Sequence, residues 1–359
     1  MSSIINHRLI NQQIAGTQFT TPQEIVQWMG AMQAQDYAMA KWAIGLRVPG
    51  LNDAALEKAF NDGSILRTHL LRPTWHFVSP KDIRWMITLT APRINALNAY
   101  QYRQFELDAK LFKRCNNIFV KALQGGNHLT RTALAGELEK AKIKADGIKL
   151  ICIMMRAELD GILCSGPRHV KQFTYALLEE RVPPAKPMLK QEALAKLTGL
   201  YFTSRGPATV QDFATWGGLT VAHAKEGINL LKGQLTNESI QGKEYWLAAN
   251  APHHTHEPTE KFQSTFLMPN YDEYAIGYKD RSAVLGEKTN TGNVKIDNPI
   301  FNHALIVDGI AAGTWKHTIK GNKTLVETTP PKPLSKTKQQ AVAKAVKRYL
   351  EFVDRKKEE

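Results

Sequence analysis

Apolar residues along the chain repeat one arrangement three times: two helical stretches, then a short alternating stretch with turn residues at its centre. The first copy opens at Thr21, placed to cap a helix with Pro22 at its first position and Glu24 three residues after the cap. Ile25, Trp28, Met29 and Met32 then fall on one helical face. A second helix is predicted around residues 54–60. Residues 66–78, rich in β-formers around Arg72-Pro73, predict a hairpin at a sheet edge. The second copy begins with Thr130 capping a helix that bears Leu134 and Leu138. A helix over 147–159 follows, and Asp160-Gly161 turns it into the strand Ile162-Leu163-Cys164. In the third copy Thr209 and Asp212 form a capping box, Gly217-Gly218 makes the turn and Thr220 caps the next helix. Residues 235–247 return as a hairpin around Gly242. Two helices joined by a Gly-containing turn and trailed by a hairpin predict a winged helix, here in three tandem copies.

After Pro258 the pattern changes. Phe266-Leu267-Met268 and Tyr274-Ala275-Ile276 are short apolar runs, and Asp308-Gly309 between two apolar stretches is a hairpin signal. With residues 315–319 and 324–327 they predict four or more antiparallel strands within about 65 residues, a small β-barrel or sandwich. A last helix over 335–352 carries Val342, Ala345, Val346, Tyr349 and Leu350 on one face. The expected class is α+β, with tandem helix-turn-helix units and a C-terminal small β-barrel. The expected divisions fall at 1–125, 126–190, 191–257 and 258–359.

Composition narrows the function. A chain of 359 residues with 43% hydrophobic and 22% charged residues is neither disordered nor fibrous. The 47 Lys and Arg exceed the 33 Asp and Glu by 14, and residues 332–359, with nine basic and four acidic residues, hold only five of those charges. Basic excess outside the tail points to a polyanionic partner, nucleic acid first. Cys115, Cys152 and Cys164 form no CxxC or zinc pattern and suit a reducing compartment. No signal peptide or membrane-length apolar run is visible, so a cytoplasmic location is expected.

P-loop, GxGxxG, GxSxG and HExxH motifs are missing. His253-His254-Thr255-His256-Glu257 is the one histidine cluster; adjacent residues of an extended loop point apart, so it reads as a solvated loop and no metal is expected. Gln33-Ala34-Gln35-Asp36, directly after the first apolar helix, is more unusual. In an extended segment Gln33 and Gln35 share a side while Ala34 anchors the chain. Two uncharged carboxamides suit orienting a water, holding a sugar-phosphate or reading a base edge. In the hairpin, Arg67, Arg72 and His76 suit phosphate contacts and Thr74 or Trp75 a wedge into a groove. Arg168 and Lys171 after the second copy, and Arg205 before the third, lie where a winged helix meets a backbone.

These segments, in this order, resemble the AlkZ/YcaQ-like DNA glycosylases over about residues 4–328. The resemblance rests on Met32-Gln33-Ala34-Gln35-Asp36, on Leu66-Arg67-Thr68 with Arg72-Pro73-Thr74-Trp75-His76-Phe77-Val78, and on Cys164-Ser165-Gly166-Pro167-Arg168 with Phe173-Thr174-Tyr175-Ala176-Leu177. Thr203-Ser204-Arg205-Gly206-Pro207-Ala208-Thr209, Leu267-Met268-Pro269-Asn270-Tyr271-Asp272-Glu273-Tyr274, and Val307-Asp308-Gly309 with Gly313-Thr314-Trp315 complete it. It implies tandem winged helices curved around a concave DNA-binding channel and closed by a C-terminal barrel. It further implies a catalytic Gln-apolar-Gln motif, which maps onto Gln33 and Gln35. Arg67, Thr68, Arg72, Thr74, Trp75, His76, Arg168, Lys171 and Arg205 would then contact DNA, and Asp36, Tyr271 and Asp272 would line the channel. Arg72-Pro73-Thr74 departs from the Arg-Gly-Thr expected there, and the proline is expected to stiffen the strand.

The implied substrate is double-stranded DNA with alkylated bases, bound by a monomer that needs no cofactor. A purine alkylated on a ring nitrogen is already cationic, so a strong general acid has nothing to protonate and a weak catalyst suffices. Two carboxamides positioning a water and stabilising the developing sugar cation fit a monofunctional glycosylase, and an open channel would admit bulky adducts or crosslinks. Two other readings remain at the level of sequence. One is a non-catalytic winged-helix DNA-binding protein or regulator. The other is an enzyme unrelated to nucleic acid that uses Tyr271, Asp272 and Glu273 of the C-terminal region.

Overall fold

The computed structural model describes residues 2–250, 264–286, 302–321 and 323–354. The histidine cluster at 253–257 lies outside them. The first region runs α1 (Ser2–Asn11), α2 (Pro22–Met29), β1 (Ala31–Gln33), α3 (Tyr37–Arg47), α4 (Asp53–Asn61), β2 (Leu66–Leu70) and β3 (Thr74–Val78). The Thr21 capping box forms: its hydroxyl accepts from Glu24 N (3.3 Å) and Glu24 Oε2 accepts from Thr21 N (2.9 Å). Helix α2 stops earlier than its apolar pattern suggests. Gly30 takes φ 70°, and a Cβ there would crowd Leu200 at 3.3 Å, so the chain turns at once and Met32 falls in a strand.

That strand was not foreseen. β1 pairs antiparallel with β3, giving the sheet order β1-β3-β2, with Gln33 opposite His76 and Met32 opposite Phe77. The hairpin's second strand is therefore central, and Arg72-Pro73 sits in the turn between strands instead of stiffening one. Gly218, at φ 61°, brings the third region's turn against this one so closely that a Cβ would lie 1.9 Å from Leu71 O.

The second region contains α5 (Ile83–Gln104), α6 (Ala109–Leu123), β4 (Leu129–Thr130), α7 (Arg131–Lys140), α8 (Gly147–Leu159), β5 (Leu163–Ser165), β6 (Thr174–Leu177) and α9 (Leu178–Arg181), with sheet order β4-β6-β5. The third contains α10 (Lys190–Arg205), α11 (Val210–Trp216), α12 (Val221–Leu230) and the two-stranded β7 (Leu235–Ile240) and β8 (Lys243–Ala248). Thr130, Thr209 and Thr220 cap α7, α11 and α12 through their hydroxyls.

In the C-terminal region β9 (Phe266–Met268), α13 (Glu273–Ile276), α14 (Ser282–Leu285), β10 (Ala304–Val307), β11 (Ile310–Lys320) and β12 (Lys323–Thr329) precede α15 (Lys336–Val353). The sheet order β12-β11-β10-β9 is open, so the expected barrel is corrected: among the described residues the sheet does not close. Tyr274-Ala275-Ile276, expected as a strand, forms α13 because the Asp272 side chain caps it at Tyr274 N.

The cores cross the expected divisions. One joins α1–α4 to the C-terminal sheet and α15, where Trp42 meets Tyr349 and Phe352 at ring-centroid distances of 5.1 and 5.2 Å. A second joins the hairpin to α5 and α10–α12, and a third lies among α6–α8 with β5 and β6. Met32 and Phe77 belong to the first core, while Ala31, Leu66, Leu70 and Val78 belong to the second. The β1-β3-β2 sheet is thus packed on both faces.

Candidate active site

Ala34 fixes the two-glutamine segment. It is fully buried; its N–H donates to Trp75 O (2.7 Å) and its carbonyl accepts from Arg67 Nε (3.0 Å). Gln33 on one side is half-buried and Gln35 on the other is exposed. Both carboxamide oxygens turn toward the hairpin: Gln33 Oε1 accepts from Arg72 Nη2 (3.2 Å), and Gln35 Oε1 accepts from Trp75 N (3.4 Å). Neither amide NH2 group has a protein partner among the described residues, which leaves uncharged donors beside exposed surface.

The strand bearing Gln33 is held from behind by a buried ion pair. Glu273 Oε1 accepts from the Gln33 backbone N–H (2.9 Å), while its Oε2 accepts from Arg205 Nη2 (2.7 Å), Arg205 Nε (3.0 Å) and Trp216 Nε1 (2.9 Å). Arg205 also donates to the carbonyls of Met29 and Ala31, at 2.8 Å each. One guanidinium and one carboxylate therefore lock β1 to α10, α11 and α13, and each group satisfies the other's charge in the interior. Sequence reading set Glu273 beside Tyr271 and Asp272 in a loop facing the channel; its buried place behind β1, paired with Arg205, was not anticipated. An acid directly before the apolar run Tyr274-Ala275-Ile276 was the available signal, because a carboxylate buried there requires a cation.

Several expected contacts are corrected by burial. Arg205 has no exposed surface and its guanidinium is spent on internal partners, so it does not meet a phosphate. Asp272 is 1% exposed and paired through both oxygens with Arg47 (2.8 and 2.9 Å), so it does not line a channel. Thr68 and His76 are fully buried inside the sheet. Arg67, 7% exposed, is stacked between Trp75 (4.2 Å to the centroid) and Phe173 (4.6 Å), and burial lowers its pKa to about 10. Arg67, Thr68 and His76 point inward because both faces of their sheet are covered.

The rest lie at or near the surface. Arg72, Thr74 and Trp75 are half-buried at the hairpin turn and the strand that follows it, and Arg72's affinity for its proton is lowered by burial. Arg168 lies over Phe173 (4.7 Å) and Tyr37 (5.0 Å) and donates to the carbonyl of Lys171, whose side chain is exposed. Asp36 caps α3 by accepting from Met39 N (3.2 Å), and its other oxygen accepts from Asn270 Nδ2 (3.3 Å). Tyr271, half-buried, takes φ 57°. Around the glutamine segment, direct hydrogen bonds join Gln33 to Arg72 and Gln35 to Trp75, and Asn270 joins Asp36 to the loop before α13.

The described residues contain no group of three His, Cys, Asp or Glu placed to hold a metal, and no helix among them is long and apolar enough to cross a membrane. The three cysteines are free and buried.

The fold is shared with a known protein. The solved structure of the Streptomyces sahachiroi DNA glycosylase AlkZ superposes with a TM-score of 0.79, covering 99% of this chain and 97% of that one at 19% identity. A Streptomyces sahachiroi interstrand DNA cross-link repair glycosylase is 20% identical over 305 residues, 82% of this chain and 81% of its own length. The family model described as DNA glycosylase AlkZ-like matches residues 26–352, from inside α2 to the last turn of α15, and so takes in the glutamine strand, its hairpin and the Arg205–Glu273 clamp. By that match the chain belongs to the AlkZ-like DNA glycosylase family.

Proposed function

We propose that this protein hydrolyses the N-glycosidic bond of alkylated purines in double-stranded DNA, bulky adducts and interstrand crosslinks included, with Gln33 and Gln35 positioning the attacking water. The observation that carries this reading is the pinned Gln33-Ala34-Gln35 segment. Its apolar centre is buried, its two carboxamides are turned to one hairpin, and their NH2 groups remain open. In the reaction, water oxygen bonds to the sugar carbon as the carbon–nitrogen bond breaks. The bond's electron pair neutralises the cationic base, and the water's proton passes to solvent. A departing base of this kind needs no general acid, so uncharged amides that orient water and stabilise positive charge on the sugar are sufficient.

In the same reading the three helix–helix–hairpin units are winged helices around a concave channel, and the enzyme acts as a monofunctional, metal-free monomer in the cytoplasm. Arg72, Trp75, Arg168 and Lys171 remain as DNA contacts at or near the surface. The test is incubation of the pure protein with duplexes carrying alkylated purines or a crosslink, scored for abasic sites. Release of base by the wild type and its loss in Gln33→Ala and Gln35→Ala, with DNA affinity kept, is the expected result. Binding of undamaged duplex with sequence preference and no base release from any lesion would make the protein a DNA-binding factor instead.

A further inference from the structure

The sheet face that carries Gln33 holds buried polar atoms that no described residue satisfies. Gln33 stands opposite His76, and His76 opposite Thr68, so three polar side chains cross the sheet in one row. Thr74, two residues before His76, lies on the same face. His76 Nδ1 is 2.9 Å from the carbonyl of Thr74. A carbonyl only accepts, so in the neutral ring Nδ1 carries the proton and Nε2 presents a lone pair. Burial first, and the nearby Arg72 cation second, hold this imidazole well below its usual pKa. His76 Nε2 and the hydroxyls of Thr68 and Thr74 are all buried without a partner among the described residues. The carboxamide of Gln33 is complementary: its oxygen is engaged by Arg72 and its NH2 group is engaged by none of the described residues. Buried polar atoms concentrated in this way are ordinarily satisfied by ordered water.

We propose that His76 is a positioning residue for Gln33, acting through one ordered water held among His76 Nε2, the Thr68 and Thr74 hydroxyls and the Gln33 amide. The water donates to Nε2 and accepts from Gln33 Nε2–H, and the hydroxyls complete its shell. The carboxamide is thereby fixed, oxygen to Arg72 and nitrogen to the water. One oxygen lone pair and one N–H are left for the substrate side. The catalytic consequence rests on the role proposed for Gln33 above; the existence of the water does not.

Two measurements separate these layers. A high-resolution crystal structure of the wild type should show a water about 2.7–3.2 Å from both His76 Nε2 and Gln33 Nε2. Nitrogen NMR of His76 should report the neutral ring with the proton on Nδ1. Dry packing, a direct Gln33–His76 hydrogen bond, or the opposite tautomer would overturn the proposal. In excision kinetics His76→Gln, which keeps an acceptor, should stay within a few-fold of wild type. His76→Phe should lose roughly tenfold or more in kcat at unchanged KM, the effect of one lost hydrogen bond. Equal kcat in the two variants would refute the role. Should His76→Phe fail to fold, Thr68→Val tests the same water, and unchanged kcat with the water still in place counts against it. A wild type that releases no base defeats the proposed function, while crystal and NMR still decide the water.

Discussion

The hairpins β2–β3 and β7–β8 have strands of five and six residues, mix polar and apolar positions, and trail two helices each, yet they meet opposite surroundings. In β7–β8 Tyr245 and Leu247 face inward while Asn237, Glu238, Ser239, Lys243 and Glu244 face solvent. In β2 every residue is buried, and β3 is buried from His76 onward. The first hairpin has gained the strand β1 on one side and a core on each face; beyond its own two strands the third pairs, among the described residues, through isolated bridges alone, Trp246 with Ala208 on the outer edge of β8 and Leu235 with Lys232. Period-two alternation determines which side chains share a face and is silent about what lies beyond it. The polar residues of β2–β3 therefore need internal partners. On one face they find them, in Ala34 O for Arg67 and Glu158 for His69. On the other, beside Gln33, Thr68, Thr74 and His76 each keep an unpartnered atom. Among the polar side chains of β2 and β3 themselves, the buried atoms without a partner among the described residues lie on the face that carries Gln33; on the other face Glu158, which meets His69, keeps one oxygen free of a partner.

The contrast can be broken most forcefully through Glu273→Ala. It strands Arg205 in the interior and should cost about 3–5 kcal/mol in denaturant unfolding, as removal of one partner of a buried pair does. At β7–β8 the exposed pair Lys243–Asp280 offers the counterpart, and Lys243→Ala should leave the unfolding midpoint unmoved. A fall as large as Glu273→Ala would mean the third hairpin is not the solvated element described. Next in size, Gln33→Ala and Gln35→Ala should each lower excision about 100- to 1000-fold, comparable to removing one preorganised polar group from a reacting centre. Equal losses in DNA affinity would assign these amides to binding alone.

A smaller effect follows from His76. Its pKa in the folded protein is depressed, so below pH 6.5 the unfolded chain binds a proton that the folded protein refuses. Stability therefore falls as pH is lowered from 6.5, by up to about 1.4 kcal/mol per unit until the buried ring protonates. His303 and His317, also depressed by burial, act in the same direction, so the difference between wild-type and His76→Gln curves isolates the share of His76. Curves that stay parallel from pH 7 to 5 would contradict the buried neutral ring. The smallest change belongs to the solvated hairpin, where Asn237→Ala should stay within about 0.5 kcal/mol of wild type.

The helices that were read from the sequence are those where a cap and an apolar face coincide, although α3, capped by Asp36, and α6, capped by Asp108 with Phe112, Cys115, Phe119 and Leu123 on its buried face, were not among them. Thr21, Thr130, Thr209 and Thr220 each begin a helix where their side chains predict one, because a cap is a contact within three residues of chain. The hairpins at 66–78 and 235–247 were legible for the same reason, as turn chemistry is local. Gln33 and Gln35 stood out as an uncharged pair flanking an apolar residue, and their placement on either side of buried Ala34 follows from extended backbone alone.

The sequence by itself determined these local elements, the order in which they occur and the motifs that carry the family resemblance. Only the tertiary structure decided that β1 would join the hairpin, that the C-terminal sheet would stay open among the described residues, and that Arg205, Asp272, Thr68 and His76 would turn inward. Arg205 and Glu273 are separated by 68 residues, and Gln33 and Glu273 by 240. No period or cap in a stretch of sequence records such a meeting. An arginine on a polar-looking helix end reads as a surface cation until the carboxylate that neutralises it is placed beside it, and that placement is fixed by how the cores pack.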